Sequence, residues 1–280
     1  MKREVQDAFH RYLLSLADDE LVAGYRATEW TGIAPTLEED VAFSSIGQDE
    51  VGHARAYYAL LHELTGTMVD YRARQPDEYL HAQLVELACA PRYHADGNHA
   101  AGGDWAFALV RQYLYDLFDA ERLQALRGSA WEPLAQQVEK MQREEKYHLH
   151  HGQLWFDRLA LPDEGLAEDK GESRGRLRRA LERAWPDALG LFEPVANEAL
   201  LVRERLVPAT AQDLLQRWLD RLHPLSERYR LPFPAERVDG SWNVTVEPRR
   251  GGRQGRHTAD WTQLWDDMTS VYRLDPTATW

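Results

Sequence analysis

The sequence predicts an all-α fold built on four long helices, with additional helices and a short loop or hairpin region toward the C-terminus. Three observations predict it. Apolar residues recur at steps of three and four over four stretches of about 25–30 residues each. Gly and Pro stand where those stretches end. β-formers gather in one place only, about residues 231–257.

The first long helix covers about residues 3–30. The second starts near Pro35, runs to about Leu64 and stops at Gly66. "PDEYLHAQLVELACAP" reads as a shorter helix. The third long helix covers about 103–127 and ends near "RGS"; the fourth runs from about 131 to 160 and stops before Pro162. "DEGLAEDKGES" is a charged linker with glycines. Two or three helices fill about 174–230, with Pro186, Pro194 and Pro208 as breaks. "PFPAERVDGSWNVTVEPRRGGRQGRHT" is a loop or small hairpin, and a last helix covers about 258–273. The expected division is a helical core over 1–165, with residues 166–280 as a helical extension packed on the same domain.

Composition narrows the function. Among 280 residues, 33 Lys and Arg stand against 46 Asp and Glu, a net charge of −13. That argues against sequence-independent nucleic-acid binding, which depends on a basic surface. No window of about 18 apolar residues suits a membrane span, and the N-terminus turns acidic too soon for a signal peptide. A single cysteine, Cys89, excludes an intramolecular disulfide and a cysteine-based zinc or iron–sulfur site. A cytoplasmic protein is expected. Ten Trp and twelve Tyr suggest large buried surfaces, some where one protein subunit meets another.

The chemistry lies in the apolar stripes. On the second helix the inward residues are Ala42, Ile46, Glu50, His53, Tyr57 and Leu60. On the fourth they are Leu134, Val138, Met141, Glu145, His148, Gly152, Trp155 and Leu159. Each stripe carries Glu-x-x-His at its centre, a spacing that lets both side chains grip one ion. The first helix places Glu20 among Phe9, Leu13, Leu16, Ala23 and Ala27. The third places Asp116 among Leu109, Gln112, Ala120 and Leu123. The order is carboxylate, Glu-x-x-His, carboxylate, Glu-x-x-His, the arrangement of ferritin-like bundles that hold two metals between carboxylates. Asp116 departs from that pattern, which has Glu there. Four carboxylates buried without compensation would each cost several kcal/mol. Two divalent cations cancel their charge, and mixed oxygen and nitrogen ligation suits iron or manganese.

Taken singly, each element is ordinary. One Glu-x-x-His is common on solvent-facing helices, and Asp19 or Asp119 serves the same stripes after a slight rotation. The four together, in order and centred, carry the dimetal reading. His150 and His151 fit no second motif and read as surface or mouth residues; Glu29 reads as structural.

"SSIGQDEVGHARAYYALLHELTG", "RQYLYDLFDAERLQAL", "EEKYHLHHGQLWFDRL" and "GGRQGRHTADWTQLWDDMTSVYRL" together resemble the phenylacetate-catabolism family, the ferritin-like subunits of phenylacetyl-CoA monooxygenase (epoxidase). The resemblance covers nearly the whole chain. The C-terminal block is most similar to the family's structural subunit rather than to its catalytic one. The structural subunit, in well-known members, lacks a complete ligand set, whereas Glu20, Glu50, His53, Asp116, Glu145 and His148 fill every position here.

The resemblance implies a di-iron centre and epoxidation of the aromatic ring of phenylacetyl-CoA by a multicomponent complex. The implied partners are a homologous catalytic-type subunit, a small accessory subunit and a separate NADPH-dependent flavin and iron–sulfur reductase. No Gly-rich dinucleotide fingerprint occurs in the chain itself. Self-association is a further expectation. By resemblance to related bacterial monooxygenases, the acids before each motif, Asp49 and Glu144, hold the ring N–H of metal-bound histidines; the alternative is solvated charge at the helix edge. Three roles stand open: an assembly subunit whose metal site is structural or vestigial, a di-iron oxygenase in its own right on an aromatic or acyl-CoA substrate, and, ranked last, a ferritin-like iron-handling protein.

Overall fold

The computed structural model describes residues 1–90, 92–93, 99–100, 104–160 and 170–278. Among these the fold is all-α and of the ferritin-like class. The helices are α1 (Arg3–Thr28), α2 (Leu37–Thr65), the single turn α3 (Gln83–Glu86), α4 (Trp105–Leu126), α5 (Glu132–Ala160), α6 (Lys170–Gly190), α7 (Glu198–Arg203), α8 (Ala211–Tyr229) and α9 (Ala259–Leu274). Two short antiparallel pairs join β1 (Arg92–Tyr93) to β2 (His99–Ala100) and β3 (Ala235–Val238) to β4 (Ser241–Val244). No described helix is long and apolar enough to cross a membrane.

Local chemistry sets most ends. Thr36 caps α2 by accepting the Glu39 N–H, and Gly66 closes it in the left-handed conformation at φ 73°. Asp104 caps α4 by accepting the Ala106 N–H at 2.9 Å. Thr210 and Asp213 form a reciprocal capping box on α8. The β3–β4 hairpin turns through Asp239 and Gly240, both at positive φ, as a two-residue hairpin with this strand twist requires.

The chain divides into two compact units. The first comprises residues 1–88, 195–201 and 250–280; the second comprises 89–194 and 202–249.

In the first unit, α1 and α2 form an antiparallel hairpin. Its core includes Phe9, Leu13, Leu16, Phe43, Ile46 and Tyr57, none more than 1 % exposed. Two consecutive α1 carboxylates organise the segment that follows α2. Asp18 accepts the Leu80 N–H at 2.8 Å and the Tyr58 hydroxyl at 2.8 Å, and pairs with Arg74. Asp19 accepts the Ala82 N–H at 2.8 Å and both terminal nitrogens of Arg253 at 2.8 Å.

These bonds explain one correction. The helix expected over "PDEYLHAQLVELACAP" is a 3₁₀ turn at Pro76–Glu78, an extended stretch and the four residues of α3. Asp18 and Asp19 take the N–H groups a helix would use, while His257 and Arg253 hold the carbonyls of Tyr79 and Leu80. Tertiary hydrogen bonding overrides local propensity here. Arg26, wholly buried, donates to the carbonyls of Glu86 and Asp260 and to Glu29, the structural role expected of that residue. Trp261 and Trp265 of α9 donate to the carbonyls of Pro76 and Arg74, each at 3.0 Å.

In the second unit, α4 pairs antiparallel with α5; the Tyr113 hydroxyl donates to Gln153 at 2.6 Å. Trp218 of α8 is buried and donates to the Leu114 carbonyl at 3.1 Å. Pro186, expected as a break, lies inside α6, and its carbonyl accepts the Arg249 N–H at 2.8 Å. Pro224 likewise lies within α8. Pro194 and Pro208 do fall between helices. The charged linker that begins at Asp163 lies, through residue 169, outside the described residues.

A buried polar cluster ties the first unit to its C-terminal segment. Glu86 Oε2 lies 2.6 Å from His81 Nε2 and 2.8 Å from His257 Nδ1, and Oε1 accepts the Thr258 N–H at 2.5 Å. Burial, then the charge of His257, drives the His81 imidazole down to about 4, against the pull of Glu86. Burial alone would raise Glu86; the hydrogen bonds from His257 and His81 outweigh it and hold the carboxyl down at about 2. Both shifts act in one direction. An unfolded His81 takes up a proton near pH 6.5 that the folded ring refuses until about 4. An unfolded Glu86 is protonated near 4.5, the folded one near 2. Stability from this cluster is therefore complete above pH 6.5 and falls progressively toward pH 2. Urea titrations of parent and His81→Gln between pH 7 and 4.5 check this. The parent loses stability across the window and the variant loses less; parallel curves would show that His81 does not drive the acid loss.

Candidate metal centre

Every central stripe position is buried. Glu20, Glu50 and His148 are wholly buried; Asp116, Glu145 and His53 are 1 %, 3 % and 4 % exposed. The expected stripes of α1 and α2 hold along their length. That of α5 departs at its end: Trp155 and Leu159 are half-buried, and Phe156 and Ala160 take the inward positions, with the Phe156 ring packed against Tyr113 at 5.4 Å between centroids. His150 is exposed and His151 half-buried, as a mouth or surface position requires.

In the first unit, Glu20, Glu50 and His53 bring ligand atoms within 4.8 Å of one another. His53 Nδ1 lies 3.5 Å from Glu50 Oε2 and 3.8 Å from Glu20 Oε2. Burial alone would lower the imidazole, but the hydrogen bonds and charges of Glu20 and Glu50 outweigh it and raise it to about 12. The helices meet closely one turn away: a Cβ on Gly24 would stand 2.9 Å from the Gly47 carbonyl oxygen. Only glycine at both positions lets α1 and α2 approach this far.

In the second unit, His148 Nδ1 lies 3.2 Å from Glu145 Oε1. Gln112, one turn before Asp116, donates to Asp116 Oδ1 at 2.7 Å. Asp116 Oδ2 is buried with no hydrogen-bond donor among the described residues. Burial, reinforced by Glu145, raises the Asp116 carboxyl to about 8 against the opposing pull of His148, Gln112 and Arg111. Gly152 is again a close approach, since a Cβ there would meet the Tyr113 ring at 2.5 Å. A cleft of about 430 Å³ opens between α4, α5 and Arg221 of α8 and is lined in part by Glu145, Arg127, Arg143 and Lys146.

The rival carboxylates are spoken for. Asp19 is held by Arg253 and the Ala82 N–H. Asp119 is held by Arg122 at 2.5–2.7 Å. Asp49 is half-buried on α2 and Glu144 is exposed on α5.

The donor set fits a divalent metal. Each unit offers two carboxylates and one imidazole with no thiolate, which suits iron or manganese. The buried Asp116 Oδ2 is an oxygen such an ion would satisfy. His81, Glu86 and His257 form a third group of potential ligands, but their geometry is that of a hydrogen-bonded clamp. The two rings stack at 4.0 Å with planes 14° apart. An ion must lie near the plane of each imidazole it binds, and two stacked, near-parallel rings cannot both meet that demand.

Sequence reasoning missed Gly24, Gly47 and the bond from Gln112. A signal existed for each: glycines inside strongly helical stretches mark close backbone approach, and Gln112 stands four residues before Asp116 on the same stripe. Gly24→Ala is expected to destabilise the chain by about 1–3 kcal/mol through overpacking and to part Glu20 from Glu50. Calorimetry together with cobalt titration of the metal-free chain checks both; parent-like stability and affinity would show that the close approach is dispensable.

Two comparisons relate the chain to known proteins. The chain is 27 % identical over 271 residues, 96 % of its length and 98 % of its relative's, to a protein of Escherichia coli (strain K12) described as the C subunit of 1,2-phenylacetyl-CoA epoxidase. The family described as phenylacetic acid catabolic protein matches residues 1–280. Over its whole length, this chain belongs to the phenylacetic acid catabolic protein family.

Proposed function

We propose that this chain is a subunit of a multicomponent phenylacetyl-CoA epoxidase in aerobic phenylacetate degradation, of the structural, assembly-supporting type, and that it retains a carboxylate-bridged di-iron site. Family membership and the Escherichia coli epoxidase relative support the first part. The observation that carries the second is the burial of Glu20, Glu50, His53, Asp116, Glu145 and His148 at the centres of α1, α2, α4 and α5. We assign all six as ligands, in the order carboxylate, Glu-x-x-His, carboxylate, Glu-x-x-His.

Bound iron supplies the O₂-reducing chemistry of such sites. The chain's own residues do the rest. Glu20, Glu50, Asp116 and Glu145 would hold two divalent cations and balance their charge. His53 and His148 each present a ring nitrogen beside the glutamate one turn earlier on the same helix. In the metal-free protein His53 holds its proton strongly and Asp116 is protonated up to about pH 8. Ligation displaces those protons, so metal affinity rises with pH through that range. The close contacts at Gly24–Gly47 and Gly152–Tyr113 pack the helices tightly within about a turn of the proposed ligands.

The proposed partners are a homologous catalytic-type subunit, a small accessory subunit and a separate NADPH-dependent reductase. Substrate-dependent O₂ uptake by the reconstituted complex tests the role. Uptake requires this chain, and the chain co-purifies with the catalytic-type subunit; uptake that is the same without the chain contradicts it. The complete buried ligand set favours a second reading, that the chain is itself a competent di-iron oxygenase. Glu50→Ala separates the two. In an assembly subunit the variant leaves uptake by the complex intact, whereas in an oxygenase it abolishes uptake by this chain.

Asp49 and Glu144 are proposed to orient the ligating imidazoles. Loss of such a partner typically costs about 10–100-fold in metal affinity. Asp49→Ala and Glu144→Ala are expected to show that loss against the exposed control Glu38→Ala. Three equal iron affinities would make both acids ordinary surface charges.

A further inference from the structure

We infer that Arg253 is a positioning residue for Glu20: its grip on Asp19 fixes the rotation of α1 and thereby decides which of two adjacent buried carboxylates faces Glu50 and His53. The inference rests on the reading of Glu20 as a metal ligand.

Asp18, Asp19 and Glu20 are consecutive and each wholly buried. Successive residues of a helix point about 100° apart, so the three carboxylates leave α1 in three directions. Asp18 is bound to Tyr58, Arg74 and the Leu80 N–H. Asp19 is bound to the Ala82 N–H and, through both oxygens, to Arg253. Glu20 faces His53. A partial turn of α1 would exchange Asp19 for Glu20 beside His53, and Asp19 has the chemistry to serve there. What prevents the exchange is a two-point, planar grip that only a guanidinium offers.

The grip is itself well anchored. Arg253 Nη1 also donates to the Leu80 carbonyl at 3.0 Å and to the Ser15 carbonyl at 3.4 Å. The glycines around it allow the loop to lie against the backbone. A Cβ on Gly252 would collide with the His81 carbonyl, and one on Gly255 with the Asp77 carbonyl. Gly251 and Gly255 adopt positive φ of 132° and 74°. Two residues past Gly255, His257 fastens the loop to Glu86. The stretch "GGRQGRHT" is thus a wedge that holds one arginine against α1, across 234 residues of sequence.

Cobalt(II) titration of the metal-free full-length chain, followed by its visible absorption, tests the inference. Arg253→Ala is expected to weaken cobalt affinity about 10–100-fold, as loss of a group that orients a ligand does, and added methylguanidinium to restore it. Arg253→Lys keeps the charge without the two-point geometry and is expected to fall between; it also serves if the alanine variant does not fold. Leu264→Ala, a core truncation in α9, lowers the thermal midpoint and leaves affinity unchanged. Parent-like affinity in Arg253→Ala, or an equal loss in Leu264→Ala, overturns the inference. A second arm needs no metal. Crystal structures of metal-free parent and Arg253→Lys should show Glu20 turned away from His53 in the variant, and an unmoved Glu20 overturns the inference. Should Glu20→Ala bind cobalt as the parent does, the ligand reading fails, and the crystal structures alone then decide whether Arg253 positions Glu20.

Discussion

The structure depends on the cost of burying carboxylates. Glu20, Glu50, Asp116 and Glu145 sit in helix interiors at 3 % exposure or less. Taking a carboxylate out of water costs several kcal/mol unless charge and hydrogen bonds compensate. Local partners compensate in part. His53 takes a proton far more readily than a free imidazole, and Asp116 holds one far longer than a free carboxyl. In the metal-free protein these proton shifts are how buried groups limit their own charge. In the proposed di-iron reading, two divalent ions would remove the same penalty in another way.

The same constraint shapes the surrounding fold. α1 carries two more buried carboxylates next to Glu20, and each is satisfied by distant sequence: Asp18 by Arg74 and Leu80, Asp19 by Ala82 and Arg253. Satisfying them forces residues 79–82 to stay extended and brings the loop at 251–257 against the first unit. The loop brings His257 to Glu86 and leads into α9, whose tryptophans bind the carbonyls of Arg74 and Pro76. A chain of polar obligations therefore runs from α1 to the C-terminal helix. Breaking one member of a buried pair such as Asp19–Arg253 typically costs about 3–5 kcal/mol, so this chain contributes to stability as well as to placement.

Much of this was legible in the sequence, for reasons tied to periodicity. The long helices α1, α2, α4 and α5 end within about two residues of their expected bounds, because a stripe over many turns is a strong signal. All six proposed ligands are buried, because a polar residue inside such a stripe has nowhere else to point. What was not legible depends on long-range hydrogen bonds. The segment "PDEYLHAQLVELACAP" has a helical pattern, yet its N–H groups belong to Asp18 and Asp19, some 60 residues earlier. Pro186 reads as a break, yet α6 runs on through it to Gly190, and Arg249, 63 residues later, donates to its carbonyl. Spacing put Glu20 on the stripe of α1 and left Asp19 a rival after a slight rotation; the ion pair of Asp19 with Arg253, from the far end of the chain, was not legible.

The central claim is that the six residues serve one di-iron centre. X-ray absorption of the chain reconstituted with ferrous iron under anaerobic conditions tests it most directly. The account predicts two irons per chain in oxygen- and nitrogen-rich coordination, with an iron–iron scattering path at roughly 3.5–4 Å, the spacing of two-metal sites. Iron that binds at one per chain, or at two per chain with no iron–iron path, would contradict it.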